Sequence, residues 1–521
     1  MAAEVADDAV FPPLRLFLAF IMMAFGMFMA ILDIQIVSAS LGQIQAGLSA
    51  SADEISWVQT SYLVAEVVMI PLSGYLSRAL SIRWLFVASC AGFTVASLLC
   101  ALAQNIEQMI AARALQGFVG GAMIPTVYAA SFLMFGRKRQ TAVTVAVSFI
   151  VTLAPTIGPA LGGWLTSVVS WHWLFLINIV PGILISFGVA TLVKLDEPNL
   201  PLLKKVDLPG LVALALVCGG LVFVLEEGAR YQWFDDATVP TWAIVSVAAA
   251  LLLWWRVNTA AEPIVSFRPL GNLNFAAGAC MGAVFGIGLY GLVYLYPLFL
   301  SRIAGLSSGQ IGSTVFVTGL FMGLSAPVTG WLSARMDVRA LACAGFCLLS
   351  ASTYMTTGIT VEWRFDQLLL PQMLRGMGIM CCIVSVSVMA FGTLPNTLIK
   401  DATGLFTLFR NVGGAIGIAL INTVALTRYS HPYSRLGEAT NPGRPEVQAR
   451  IDMMTALGTS RGMPDPEGLA VRQLAGEVTR QALTMSYADA FLILSALFAC
   501  FAVVPLFLKK PGTFADPVEN H

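Results

Sequence analysis

The stretch Pro71-Leu-Ser-Gly-Tyr-Leu-Ser-Arg-Ala-Leu-Ser-Ile-Arg83 returns later in the chain as Pro327-Val-Thr-Gly-Trp-Leu-Ser-Ala-Arg-Met-Asp-Val-Arg339. Pro, Gly, Leu, Ser and the final Arg coincide when residue 327 is laid on residue 71, an offset of 256. Each copy runs off the end of a long apolar segment into a short basic loop. A second echo, Leu115-Gln-Gly117 against Leu374-Arg-Gly376, follows at nearly the same offset, each early in a helix after that loop. The chain therefore reads as two related halves. Paired halves of membrane helices are the architecture of secondary transporters, with the substrate site between them.

Composition supports a membrane reading. The chain is 57% hydrophobic and 11% charged, with mean hydropathy +0.80, whereas soluble domains carry about 25% charged residues. Apolar runs recur along almost the whole length, each long enough to cross about 30 Å of hydrocarbon as a helix. The runs are continuous and not alternating, which points to an all-α membrane protein and away from a barrel. The first run is too long for the apolar core of a signal peptide and lacks a small-residue cleavage site, so a retained helix is expected. All nine cysteines fall inside expected spans, which argues against a disulfide framework and makes Cys381-Cys382 packing residues. The three histidines show no metal-ligand spacing, so no metal site is expected. The net charge of zero favours no partner and gives no sign of nucleic-acid binding.

Fourteen spans are expected, near 15–37, 56–77, 84–103, 108–134, 140–165, 173–193, 207–225, 239–258, 276–300, 310–333, 340–360, 367–392, 402–427 and 483–508. One set of alternate loops and ends is basic. It holds Arg15, Arg78, Arg83, the Arg137-Lys-Arg139 run, Lys204, Lys205, Arg256, Arg335, Arg339, Lys400, Lys509 and Lys510, while the short loops of the other set hold only Arg230, Arg302 and Arg364. The positive-inside rule makes the first set cytoplasmic, with both termini on that side. The expected organisation is a cytoplasmic N-terminus (1–14), a six-helix bundle (15–193), a linker with two inserted helices (194–275), a second six-helix bundle (276–508) and a cytoplasmic tail (509–521). The long segment 428–482 is then extracytoplasmic. The inserted pair carries no interior charge and reads as packing helices.

A charge inside the bilayer costs a few kcal/mol or more, so each asks for a partner or a task. Asp33 lies about 27 Å up span 1 and Arg113 about 9 Å below the outer face on span 4, at 1.5 Å per residue. Both fall in the outer third. A carboxylate there can exchange a proton against the guanidinium as the site alternates between wet and dry, because burial favours the acid and Arg favours its anion. A static buried ion pair is the alternative. Glu66, close to the midplane of span 2, fits a coupling proton, a substrate contact, or a neutral acid bonded to a neighbouring helix. In the second half, Arg375 stands where the repeat has Gln116, so the halves differ chemically. Arg410-Asn-Val-Gly-Gly414 fits either contact with an anionic group or bracing of the interface. Asp489 reads as a solvated boundary residue.

Span 5 contains Ala154-Pro-Thr-Ile-Gly-Pro-Ala-Leu-Gly-Gly163. Pro155 and Pro159 remove backbone donors and bend the helix, while Gly158, Gly162 and Gly163 admit a close neighbour. Trp171-His-Trp-Leu-Phe175 reads as an interfacial aromatic anchor with a structural His172. Methionines are abundant in spans 1 and 12, which suits packing and equally an adaptable apolar pocket. In 428–482, helix-compatible patterns at 445–457 and 467–481 flank a Gly-Met-Pro-Asp-Pro break, giving either a projecting hairpin that docks a partner or a polar connector.

At these residues the chain resembles the fourteen-span drug/proton antiporter branch of the major facilitator superfamily, most closely its EmrB-type multidrug exporters, over essentially its whole length. Ile31-Leu-Asp-Ile-Gln-Ile-Val37 is similar to the branch's first-helix acidic motif, which implies that Asp33 is the proton-coupling carboxylate. Arg113-Ala-Leu-Gln-Gly-Phe-Val-Gly-Gly121 resembles the fourth-helix motif whose arginine assists proton transfer. Thr156 to Gly163 resembles the fifth-helix antiport motif, and Gly74 to Arg83 the loop motif that gates the cytoplasmic side. Trp173-Leu-Phe-Leu-Ile-Asn178 and Leu225-Glu-Glu-Gly228 to Trp233-Phe234 also fit. Three positions depart from the pattern. The loop motif usually has an acid where Arg78 stands, so its acid-based latch cannot operate in that form. Gln35 and Ser38 stand where Thr and Asn are usual.

The resemblance implies the major facilitator fold, with two six-helix bundles plus two inserted helices. It also implies proton-driven export of hydrophobic small molecules through a bacterial inner membrane. No cofactor is expected, and lipids and the substrates themselves are the expected contacts. In double-membrane bacteria, the resemblance implies a periplasmic adaptor of membrane-fusion type and an outer-membrane channel that complete the path, with 428–482 as the candidate docking segment. Proton coupling falls to Asp33 and Arg113, with Glu66 assisting. Candidate cavity residues are Gln35, Gln59, Tyr62, Glu66, Met123, Arg375, Arg410 and Asn411. Rivals on the same scaffold are a proton symporter or facilitator for a nutrient, or a fatty-acid or lipid exporter. A membrane enzyme or receptor would need clustered catalytic side chains or a large signalling domain, and the sequence offers neither.

Overall fold

Apolar segments in lipid must satisfy every backbone polar group internally, and helices do this one segment at a time. The computed structural model describes residues 14–508, apart from 39, 52–53, 136, 194, 229–230, 232, 234, 236, 261–262, 307, 441–442 and 462–463. Its first half runs α1 (Leu14–Ser38), α2 (Leu41–Leu48), α3 (Trp57–Ala101), α4 (Ile106–Gly120), α5 (Met123–Met134), α6 (Arg137–Val168), α7 (Trp173–Leu176) and α8 (Ile179–Leu192). Then come α9 (Leu208–Glu227) and α10 (Thr238–Thr259). The second half holds α11 (Leu273–Arg302), α12 (Ser308–Arg335), α13 (Val338–Met355), α14 (Phe365–Phe391), α15 (Ile399–Ala439), α16 (Pro445–Ser460) and α17 (Pro466–Val503).

Twelve helical stretches among the described residues are long and apolar enough to cross a membrane, with α4–α5 and α7–α8 each counted as one. One of the twelve, α3, is broken at Ser81, whose φ of 75° and ψ of 156° interrupt the helix and divide it into two crossings. With α6, 32 residues long, the arrangement fits the expected fourteen. Polar side chains set several helix starts. Asn105 accepts from the Gln108 N–H at 2.9 Å, Asp207 from Gly210 at 3.1 Å and Asp465 from Gly468 at 3.0 Å, each taking up a donor that a helix start leaves without a partner.

The repeat is visible in the packing. Gly117 of α4 sits on the Tyr62 carbonyl of α3, and Gly376 of α14 sits on the Thr318 carbonyl of α12, with no room for a Cβ at either place. These small residues let the backbones touch, which membrane helices need in the absence of a hydrophobic drive between them. One apolar core gathers α1, α3 to α5 and α8. A second runs through α11 to α15 and α17 and extends over α9 and part of α3.

Three expected boundaries move. Span 7 was expected to end at 225 without interior charge, but α9 runs on to Glu227 and carries Glu226 and Glu227 in its last turn. Spans 13 and 14 were expected to stop at 427 and begin at 483. Instead α15 continues to Ala439 and α17 starts at Pro466, so 428–482 is helical for most of its described length. Hydropathy marks where lipid ends, and a helix can continue into water once nucleated. In this projection Arg450 of α16 pairs with Glu477 of α17 at 2.7 Å.

Candidate functional site

The first site lies inside the first half. Here α1 brings Asp33, α4 brings Arg113 and Gln116, α3 brings Ser97, and the α7–α8 turn brings Asn178; all five are buried, Asp33 and Arg113 completely. Arg113 donates from Nη1 to Asp33 Oδ2 at 2.5 Å and to Gln116 Oε1 at 2.7 Å, and from Nε to the Val58 carbonyl at 3.1 Å. Asp33 Oδ1 accepts from Asn178 Nδ2 at 2.8 Å and from Gln116 Nε2 at 3.1 Å. The guanidinium also lies over the Tyr62 ring, 4.3 Å from its centroid. A buried charge pair is tolerable when geometry is good and the remaining polar atoms are paired. Here both Asp33 oxygens and the Nε and Nη1 of Arg113 are paired, while Arg113 Nη2 is buried without a hydrogen bond. The two charges that the sequence placed in the outer third are in contact.

The second half repeats this site with its parts exchanged. There Gln372 occupies the place of Arg113 and Arg375 that of Gln116, and Arg375 Nη1 donates to Gln372 Oε1 at 3.1 Å. Arg375 lies 5.0 Å from the Tyr296 ring centroid. Tyr296 belongs to α11, which opens the second half as α1 opens the first. Where the first half offers a carboxylate, the second offers an aromatic ring. Arg375 is fully buried, and among the described residues no carboxylate lies within ion-pair distance of it. Among the described residues, the buried arginine of the first half is paired with an acid and that of the second half is not.

Between the halves lies a cavity of about 490 Å³. Its wall is shared by Gln35 and Ser38 of α1, Gln59 and Glu66 of α3, Gly163 of α6, Glu226 of α9, Tyr290 and Tyr294 of α11, and Asn411 and Gly414 of α15. It extends to Leu41, Ser301 and Ile311, close to where α1 and α11 end and α12 begins. Of the candidates read from sequence, Gln35, Gln59, Glu66 and Asn411 line it. Tyr62, Met123, Arg375 and Arg410 do not. Tyr62 is fully buried beneath Arg113, Met123 is fully buried within the first half, and Arg375 is held by Gln372 and Tyr296. Arg410 is 1% exposed and feels the charge of Glu66 across the interface of α3 and α15.

The glycines of α6 are contact points. Gly158 packs on Gln35 and Gly162 on the Ile36 backbone, holding α6 against α1. The side chains of Pro155 and Pro159 lie outside the described residues; the helix runs through both positions.

The loop motif closes the far end. Arg78 of α3 pairs with Asp401 of α15, and Gly74 packs directly on Lys400 and Asp401. Lys400 pairs with Asp196 at 2.7 Å, and Asp196 also accepts the Ile82 N–H at 3.1 Å. Arg83 donates to the Ala190 carbonyl. Arg78 stands where the motif usually has an acid, and it joins α3 to α15 through Asp401.

Two residues escaped the sequence reading. Glu226 lines the cavity, and Glu227 accepts from the Thr60 hydroxyl at 3.0 Å. The Leu225-Glu-Glu-Gly228 motif was the available signal, but closing the span at 225 put both acids outside it.

Residues 18–418 match the Major Facilitator Superfamily. The chain is 38% identical to the "Colistin resistance protein EmrB" of Acinetobacter baumannii, over 98% of this chain and 99% of that protein. It is 29% identical to the "Multidrug export protein EmrB" of Haemophilus influenzae, over 96% and 98%. The crystal structure of the human organic anion transporter MFSD10 shares the fold, with a TM-score of 0.55 at 14% identity, covering 94% of this chain and all of that one.

Proposed function

The chain belongs to the Major Facilitator Superfamily as an EmrB-type transporter, and from that premise we propose that it exports hydrophobic small molecules in exchange for protons. The observation that carries this reading is the cavity between the halves, latched at one end and extending to the helix ends at the other, beside a buried acid in one half only. The bundles 15–193 and 276–508 rock about that cavity, with 194–275 inserted between them, and expose it to each side in turn. The basic loops support a cytoplasmic position for the latch and both termini, in keeping with an EmrB-type protein of the bacterial inner membrane. The state described is then open outward.

Asp33 and Gln35 stand two residues apart on α1, one turned to Arg113 and the other to the cavity. A proton arriving on Asp33 removes the charge that holds Arg113 and loosens α1 from α4. The same movement shifts the cavity wall at Gln35 and Ser38. On α3, Tyr62 lies under Arg113 and Glu66 faces the cavity one turn away, so α3 supplies a parallel link. Where a second membrane lies outside, the helical projection 428–482 is the surface on which a periplasmic adaptor of membrane-fusion type, leading to an outer-membrane channel, would dock.

Purified protein in liposomes tests the reading. A substrate gradient should drive proton movement in the wild type, and Asp33→Asn should abolish it while leaving substrate equilibration. Substrate flux that ignores both the proton gradient and Asp33→Asn would make the protein a uniporter.

A further inference from the structure

The inserted helix α9 does more than pack. Its Phe223 stacks on Trp57, ring centroids 5.6 Å apart, and Gly219 meets Val64 of α3. Glu227 is tied to Thr60 at 3.0 Å. Just beyond, Trp233 donates from Nε1 to Thr423 of α15 at 3.2 Å. The last turn of α9 is thus tied to the first half by Glu227, and Trp233 beyond it is tied to the second half. Val222 and Glu226, four residues apart and so on one face, are what this turn presents to the cavity.

Glu226 has no hydrogen bond or ion pair among the described residues. Glu66, 3% exposed, also lines the cavity without a hydrogen bond, but it faces the charge of Arg410. No Lys or Arg is among the described residues lining the cavity, whose wall is otherwise mostly apolar with the rings of Tyr290 and Tyr294. Such a chamber has carboxylates in excess and aromatic faces beside them. Both attract an organic cation, and a carboxylate out of bulk water holds one more strongly than it would in solution.

We propose that Glu226 of the inserted helix binds the positively charged nitrogen of the substrate, so that α9 is part of the binding site and sets a preference for amphiphilic cations. The proposal rests on the exporter reading for its physiological meaning, but binding tests it separately. Full-length protein in detergent is titrated with ethidium, a permanently cationic dye, and with Nile red, a neutral one, both followed by fluorescence. For Glu226→Gln, a near-isosteric change, the preference for ethidium over Nile red should fall about tenfold or more, the scale of a lost hydrogen bond to a charged group. Glu226→Asp keeps the charge and should restore most of the preference. An unchanged preference in Glu226→Gln, equal loss of both dyes, or a wild type that does not bind ethidium overturns the proposal. Ethidium binding through Glu226 with no proton-driven transport in liposomes would leave the binding assignment standing and sink the exporter reading.

Discussion

Asp33 and Arg113 were legible in the sequence because each is a charge in an apolar helix, and lipid leaves such a charge little choice but a partner. Their contact at 2.5 Å carries a specific energetic expectation. Replacing Arg113 by Gln strands a buried carboxylate, which should cost about 3–5 kcal/mol of stability. Arg375 gives the opposite expectation. It is as deeply buried as Arg113 but, among the described residues, has Gln372 and a tyrosine ring beside it and no acid paired with it. Arg375→Gln removes an isolated charge and should leave the unfolding temperature equal or higher. Thermal unfolding of the two variants in detergent, measured side by side, decides the point; equal losses would mean that Arg375 has compensation the geometry does not reveal. The exchange of Arg and Gln between the halves was half visible. Leu115-Gln-Gly against Leu374-Arg-Gly showed one substitution, but its reciprocal, Arg113 against Gln372, becomes apparent only when both side chains are seen turned into equivalent places.

At the scale of helices, apolar runs located nearly every crossing, and they failed where a helix outlives its lipid. That failure hid Glu226 and Glu227, two polar residues past the last leucine of α9, and it cut α15 and α17 short. The break in α3 is a different case. Ser81 adopts a φ of 75° with an extended ψ, a region that costs a residue bearing a Cβ about 1–3 kcal/mol. Glycine occupies it freely. Ser81→Gly should therefore raise stability by about 1 kcal/mol, after allowing for glycine's greater freedom in the unfolded chain. A lowered unfolding temperature would show that the weak bond from the Trp84 N–H to the Ser81 hydroxyl, at 3.4 Å, matters more than the strain.

Across the whole molecule, the two halves are held at one end by Arg78–Asp401 and Lys400–Asp196. No reading of local sequence could pair Arg78 with a residue 323 positions away; the sequence showed only that Arg78 departs from the acid usual in the motif, and its acidic partner Asp401 became visible only in three dimensions. Partly exposed pairs contribute about 0.2–1 kcal/mol each, so the latch biases the equilibrium between open states without locking it. Arg78→Asp should shift the population several-fold toward the state open at that end, and Arg78→Asp with Asp401→Arg should return it. Distances between spin labels placed on either side of the latch would report both shifts. If the double exchange fails to restore what the single change lost, the pair is not the element that holds the halves.

Glu227 at the end of α9 joins Thr60, and Trp233 beyond it joins Thr423, opposite the latch. Glu227 and Trp233 thus tie this region to one half each, so the width open to departing cargo is expected to be limited by these ties as well as by how far the helices lean. Trp233→Ala should release that limit, and bulkier molecules that the intact protein rejects should then pass, as measured by uptake of size-graded dyes into inverted vesicles.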